Sequence, residues 1–344
     1  MKILYAIQGT GNGHISRSRD IVPLLKQMAD VDVLVSSLKK TPELPFEIDY
    51  NCKGLGYTFG KKGGIDFWDT WKKAEFRKAK KEIRNLPIDN YDLLINDFEP
   101  ISAWAARIKK VPSVSLSHQA AVLHKKAPRP RHTDIPGRAV LKYYAPTDEQ
   151  YGFHFERYAK NIYTPVIREQ IRQQEVRELG HYTVYLPAYS SQKLIHKLSR
   201  FSEVKWEVFS KDASEPYREK NVHVFPVSNE AFINSMASSE GVLCGAGFET
   251  PAEALFLKKK LMVVPMKVQY EQQCNAAALA KMGVPVMRNL KEKHLYRIRE
   301  WINSMQRIEV DYPDETHKIL RGIIEKYGVI KERKDRDRSL ELFR

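Results

Sequence analysis

The sequence predicts an α/β protein built from two Rossmann-like, doubly wound domains that face each other across a cleft. Three observations carry that prediction. Short apolar runs alternate with segments of helical periodicity along most of the chain; the alternation breaks once, between about residues 143 and 169; and each half holds a glycine-rich turn between a strand and a helix. At 344 residues the chain exceeds what one core usually supports, so two domains of roughly 160–180 residues follow.

In the first half, Lys2 to Ile7 is a short apolar run that stops at Gly9-Thr10-Gly11-Asn12-Gly13. Ile15, Ile21, Val22, Leu25 and Met28 then fall at helical spacing. Val31 to Val35, Asp92 to Ile95 and Val111 to Leu116 read as further buried strands separated by helices, the pattern of a parallel sheet. Tyr, Pro and charged residues break the pattern from about Tyr143 to Glu169, and the domain junction is placed near Thr164-Pro165. The expected units are 1–163, 164–330 and a charged tail, 331–344.

The second half repeats the alternation. Tyr182 to Leu186, Lys205 to Phe209, Val222 to Phe225, Gly241 to Leu243 and Met262 to Val264 read as strands; Lys193 to Leu198, Ala231 to Met236 and Pro251 to Leu257 read as helices. The tail from Lys331 mixes both charges densely and reads as a solvated helix end or a frayed terminus.

Composition narrows the class of protein. The hydrophobic share is 42%, and no run of about 18 apolar residues is present to span a membrane. The N-terminus reaches glycine before it supplies the apolar stretch of a signal peptide. Cys52, Cys244 and Cys274 lack the even count of a disulfide framework and the close pairing of a zinc site, and read as reduced thiols of the cytoplasm. The net charge of +15 favours phosphate-bearing partners, whether nucleotide, anionic lipid or nucleic acid. One stretch places Trp68, Trp71, Phe76, Ala79, Ile83 and Leu86 on a single helical face, with Lys72, Lys73, Lys78, Lys80, Lys81 and Arg84 around it. It fits a surface helix packed on its own domain or, as a second reading, a helix lying on the inner face of an anionic membrane.

Gly9-Thr10-Gly11-Asn12-Gly13-His14 is not a dinucleotide fingerprint. The spacing is GxGxG rather than GxGxxG, and the second strand ends in Val35-Ser36-Ser37 without an acid for a ribose. The turn instead presents His14 at the mouth of the sheet. An imidazole there is suited to take a proton from an attacking hydroxyl; the alternative is a helix-start residue bonded to backbone. Asp97 ends another strand on the same edge. It is placed to orient the imidazole or bind an acceptor, or else caps the next helix.

The second turn, Cys244-Gly245-Ala246-Gly247-Phe248-Glu249-Thr250-Pro251-Ala252-Glu253, leads from strand to helix. Thr250, Pro251 and Glu253 stand at the N-cap, the first position and the third position of a capping box. Bare amides and the helix dipole make such a start a site for a diphosphate, with Gly245 and Gly247 allowing close approach. Glu253 either closes the capping box or accepts the hydroxyls of a ribose. A strand with Pro265 follows, then Gln269-Tyr270-Glu271-Gln272-Gln273-Cys274-Asn275-Ala276.

This second constellation resembles the sugar-nucleotide site of GT-B glycosyltransferases, both the UDP-glycosyltransferases and the N-acetylglucosaminyltransferase that forms lipid II. Glu253, Glu271, Gln272 and Asn275 fall on matching positions. The resemblance implies that Glu253 holds the ribose and that Glu271 with Gln272 binds the sugar hydroxyls, groups whose polarity suits that task. Gly11-Asn12-Gly13-His14 is similar to the glycine turn with its trailing base in the same families. The donor set then comprises Gly11, Asn12 and Gly13 from the first turn, Gly245, Gly247, Phe248, Glu249 and Thr250 from the second, and Gln269 beside Glu271 and Gln272.

The sequence also departs from these families. Gly245 stands where many plant members carry a histidine, so phosphate binding leans on backbone and on Ser190 and Ser191. Pro187-Ala188-Tyr189-Ser190 lacks the common glycine, and Glu271 replaces the usual Asp or Gln. Asp335-Arg336-Asp337, the one Asp-x-Asp pattern, lies in the charged tail, so no metal or other cofactor is expected. The resemblance implies an inverting transfer from a UDP-linked donor to a lipid, a cell-wall precursor or a small metabolite. A nucleotide-sugar 2-epimerase shares the architecture and is the rival among enzymes. A basic nucleic-acid-binding protein is the rival outside them, although no nucleic-acid module is recognisable.

Overall fold

A computed structural model describes residues 1–10, 12–38, 44–54, 73–131 and 134–342. The first half runs β1 (Lys2–Gln8), α1 (Asn12–Met28), β2 (Asp30–Ser36), β3 (Tyr50–Cys52), α2 (Lys73–Asn85), β4 (Leu93–Asp97) and α3 (Pro100–Lys109). It continues with β5 (Ser113–Ser117), α4 (His118–Leu123), α5 (Ile135–Tyr143), β6 (Glu149–Phe153) and β7 (Ile162–Tyr163). Among the described residues these strands form one sheet in the order β3-β2-β1-β4-β5-β6-β7, every pair parallel. Ile3 to Ile7 are wholly buried, as expected of a central strand covered by helices on both faces.

The short α6 (Glu169–Arg172) leads to the second half: β8 (His181–Tyr185), α7 (Ser191–Leu198), β9 (Lys205–Ser210), β10 (Tyr217–Glu219), β11 (Val222–Pro226) and α8 (Asn229–Ser238). Then come β12 (Gly241–Gly245), α9 (Glu249–Phe256), β13 (Lys260–Val264), α10 (Tyr270–Lys281), α11 (Tyr296–Asn303) and α12 (Thr316–Leu342). The second sheet has the order β10-β11-β9-β8-β12-β13, parallel except for the β10 edge. In both sheets the order reverses beside the first strand of the half, between β1 and β4 and between β8 and β12. Ligands of open α/β sheets bind at such switch points, beyond the carboxyl ends of the strands.

The predicted strands and helices overlap these elements, with ends that differ by a residue or two in places such as Val111 and Leu186. Sequence reading missed β6 and β7, which extend the first sheet through the segment where the pattern broke up; they are short and carry Tyr, Gln and Gly. The end of the chain crosses back from the second half. Helix α12 returns to the first half and packs on α1, and its Lys326 pairs with Glu149 of β6 at 2.6 Å. The segment 331–342 continues that helix.

Of the basic amphipathic stretch, Trp68, Trp71 and Lys72 lie outside the described residues. In α2 and just beyond it, Ala79 and Leu86 are buried, Ile83 packs partly against the core, and Phe76 is exposed. No helix among the described residues is long and apolar enough to cross a membrane.

Candidate active site

The carboxyl ends of β1, β4 and β5 deliver His14, Asp97, His118 and Gln119 to one edge of the first sheet. Ile7 of β1 lies beside Asp97 of β4 in the parallel register, so the turn after β1 opens next to that carboxylate. His14 Nδ1 donates to Asp97 Oδ1 at 2.8 Å. Asp97 is fully buried and takes no part in capping: the N-cap of α3 is Glu99, whose side chain accepts from the Ile101 and Ser102 amides. The Asp97 carboxylate is enclosed with its two partners, the His14 imidazole and the Arg17 guanidinium. Between the two acids, Phe98 adopts φ 60°, a left-handed conformation that costs a bulky residue energy and fixes the strand-to-helix turn. Its ring lies nearly parallel to that of His14, 6.3 Å away.

Arg17, one helical turn beyond His14, supplies the counter-charge. Its guanidinium donates to both Asp97 oxygens at 2.8 Å and, through Nη1, to Glu249 of the second half at 2.6 Å. Burial raises the Asp97 pKa, but Arg17 and then His14 outweigh it and hold the carboxyl down at about 2. For His14, burial disfavours the charged form; Asp97 overcomes this, and the imidazole pKa ends above its ordinary value.

Gln119 spans the cleft. Its amide nitrogen lies 3.3 Å from His14 Nε2 and donates to Glu271 Oε2 at 3.0 Å. Next to it, His118 is bonded through Nδ1 to the Phe153 carbonyl and through Nε2 to Asn275 Oδ1, both at 2.8 Å, and stacks on Phe248 with ring centroids 3.9 Å apart. An apolar cluster of Phe98, Val122 and Leu141 with Tyr270 and Cys274 closes the same seam. Burying each such large side chain contributes about 1.5–3 kcal/mol.

The second half supplies a cavity of about 1250 Å³ at its own switch point, walled by Leu186 to Tyr189, Gly245, Val264 to Lys267, Gln272 and the segment 288–294. Lys193, Lys197, Lys267, Arg288, Lys291 and Lys293 give it a cationic lining, and Glu292 in its wall is already paired with Lys197 and Arg200. Desolvation, and then the neighbouring cations Lys293, Arg297, Arg288 and Lys291, hold His294 below its ordinary pKa. The start of α9 has no side-chain cap, which leaves its amides for an anion. Gln272 lines this cavity, and its Oε1 accepts from the Met266 amide at 2.9 Å.

Several expected donor residues have other employment. Thr250 is not the N-cap, which falls on Phe248; the capping box does not form. Phe248 is buried in its stack against His118. Glu253 is 2% exposed, and both its oxygens accept from Arg168, at 2.5 and 2.9 Å, so it braces the interdomain connection to α9 instead of standing open to a ribose. Asn275 is wholly buried and bridges His118 to the Ala246 carbonyl. Ser190 caps α7, while Ser191 bonds Asp212 through both its amide and its hydroxyl. Gln269 is the N-cap residue of α10 but makes no side-chain cap bond.

Of the first turn, Gly11 lies outside the described residues and Asn12 begins α1. A Cβ on Gly13 would meet the end of the Glu249 side chain, so the close approach at that glycine is to the protein's own carboxylate. Gly247, by contrast, faces open space.

Sequence reading missed Arg17, His118, Gln119 and Arg168. Arg17 had a signal, its three-residue spacing from His14 on a predicted helix. His118 and Gln119 directly follow a predicted strand on the same edge.

Paired Rossmann-like domains of this topology, each turning the carboxyl edge of its sheet toward the other, define the GT-B class of glycosyltransferase. The sequence agrees: the model described as glycosyl transferase family 1 matches residues 1–305, and the chain belongs to that family. No curated protein matches it in sequence. Solved structures similar to it include MurG from Acinetobacter baumannii, at 14% identity and TM-score 0.56 over 94% of this chain and 99% of that one. Another is UGT2 from Phytolacca americana, solved with UDP-2-fluoro-glucose and pterostilbene, at 13% identity and TM-score 0.57 over 94% and 93%. A UDP-N-acetylglucosamine 2-epimerase is similar at 13% identity and TM-score 0.58 over 96% and 97%. At these identities the likeness shows architecture, which transferases and an epimerase share.

Proposed function

We propose that this glycosyltransferase moves a sugar from a nucleotide diphosphate, a uridine nucleotide by resemblance, to a hydroxyl acceptor with inversion, His14 acting as the base. One observation carries the reading: Asp97 holds Nδ1 of His14, turning Nε2 toward the cleft, and a single side chain separates that nitrogen from Glu271 of the opposite domain. A base on one wall and a hydroxyl-binding carboxylate on the other is the arrangement in-line displacement at a sugar carbon requires.

The donor's nucleotide occupies the basic cavity. Lys267 and Arg288 line that cavity and offset the charge that develops on the leaving diphosphate. Glu271 and Gln272 hold the sugar. The acceptor hydroxyl enters from the first domain, donates to His14 Nε2 and attacks the anomeric carbon; the proton stays on the imidazole, beside Asp97. The net charge of +15 favours an acceptor that is anionic or carried on an anionic membrane surface.

The test is incubation with UDP-sugars, with and without candidate acceptors, followed by analysis of the sugar products. Glycoside formed with inverted anomeric configuration supports the reading. An epimerised nucleotide sugar formed without acceptor overturns it in favour of the epimerase.

A further inference from the structure

The Gln119 side chain lies where the substrates of the proposed reaction would meet. Glu271 is a carboxylate and only accepts hydrogen bonds, so the amide nitrogen, not the oxygen, must face it. That nitrogen has two hydrogens. One serves Glu271 Oε2 at 3.0 Å, and the other points to His14 Nε2 at 3.3 Å. Both are positions that substrate hydroxyls take when the enzyme is loaded: the acceptor hydroxyl donates to His14, and a sugar hydroxyl donates to Glu271. The amide therefore stands in for two hydroxyl donors at once.

The other end of the amide is unsatisfied. Gln119 is 5% exposed, and its Oε1 is buried without a hydrogen-bond partner. A buried carbonyl left in that state costs about 1–3 kcal/mol, and such a group at a cleft calls for a partner from outside the chain, a ligand or a water. The group suited to complete it is an O–H donor. Among the described residues no side chain bonds that oxygen, and the neighbouring His118 is committed to Phe153 and Asn275.

We propose that Gln119 is a specificity-determining contact for the transferred sugar: Oε1 accepts from a sugar hydroxyl next to the one held by Glu271, and the amide N–H released from His14 by the acceptor turns to the substrates. This rests on the transferase reading above. It makes the first domain, and not only the donor domain, a reader of the sugar. A site that hydrogen-bonds a hydroxyl discriminates strongly against a sugar that lacks it or carries it in the wrong configuration, since the buried polar group is then left unpaired.

The experiment is calorimetric titration of the full chain with UDP and with UDP-glucose, UDP-galactose, UDP-N-acetylglucosamine, UDP-N-acetylgalactosamine and UDP-glucuronic acid. Wild type, Gln119→Leu and Gln119→Met are compared, the last retaining length and volume so that a packing defect is separable. Expected is an unchanged affinity for UDP in both variants, with the extra affinity contributed by the preferred sugar reduced about tenfold and the preference among epimers flattened, the loss of one hydrogen bond in a buried site. Wild-type sugar increments and wild-type ranking in both variants would overturn the proposal while leaving the transferase reading intact. Failure of the wild-type protein to bind UDP or any of the sugars would bring down the reading on which it rests.

Discussion

Arg17 and Glu249 meet across the cleft at 2.6 Å, one from the helix that follows the first glycine turn and the other from the helix that follows the second. Because Asp97 holds the opposite edge of the same guanidinium, the orientation of His14 and the approach of the two domains share one buried cation. Charges on either side of Arg17 therefore set the protonation of the base.

The pH dependence of transfer tests this directly. His14 works as the free imidazole, so kcat/KM should rise with pH through an inflection above the ordinary histidine value, following its raised pKa. Asp97→Asn removes the interaction that raises it and moves the inflection down; Arg17→Met removes a cation that lowers it and moves the inflection up. Opposite displacements in the two variants, read from pH–rate profiles, are the expected outcome.

His14→Ala should lower kcat by about 10²–10⁴, the usual contribution of a positioned general base. UDP affinity should stay within about twofold, because the imidazole faces the acceptor side. Steady-state kinetics together with calorimetry check both halves of the statement, and undiminished turnover would remove His14 from the reaction.

The Arg168–Glu253 pair predicts a loss of stability where sequence reading predicts a loss of nucleotide binding. Replacing either partner with alanine leaves the other buried and uncompensated, at a cost of about 3–5 kcal/mol. Both single variants should melt well below wild type, and the double replacement Arg168→Met with Glu253→Met should recover much of the difference. A Glu253→Ala protein that melts like wild type yet loses UDP affinity would restore the ribose assignment.

Nucleotide binding should be salt-sensitive and should rest on the cavity cations. Lys267→Ala and Arg288→Ala are each expected to weaken UDP binding about tenfold, as charge-assisted hydrogen bonds of about 1.5–3 kcal/mol imply. A UDP-sugar at about a hundredfold excess over its dissociation constant should stabilise the wild-type fold by about 2.7 kcal/mol, measurable as a rise in melting temperature.

The alternation of strands and helices was legible because a strand buried on both faces reads as an unbroken apolar run, as in Lys2 to Ile7, and a helix as a 3.6-residue period, as in Ile15 to Met28. Strands β6 and β7 were not, since Glu149-Gln150-Tyr151 and a two-residue strand carry no such period. At the site, His14 and Asp97 were readable from their strand ends. The bonds that unite the two domains were not: Arg17 with Glu249, His118 with Asn275 and Gln119 with Glu271 lie more than a hundred residues apart, beyond any local pattern. The same blindness explains Glu253 and Asn275. Their polarity was read as aimed at a ligand, and it is consumed by partners that only the tertiary fold supplies.

The return of α12 to α1 has a bearing on how the molecule comes to be made. The first sheet is complete at Tyr163, yet the helix that covers this face does not begin until Thr316. A nascent chain emerging from the ribosome therefore carries its leading half with an uncovered flank through the synthesis of the entire trailing half. Its native state is sealed by a helix that is translated only after the whole second sheet, and release before that helix would leave a lobe that is paired but not closed.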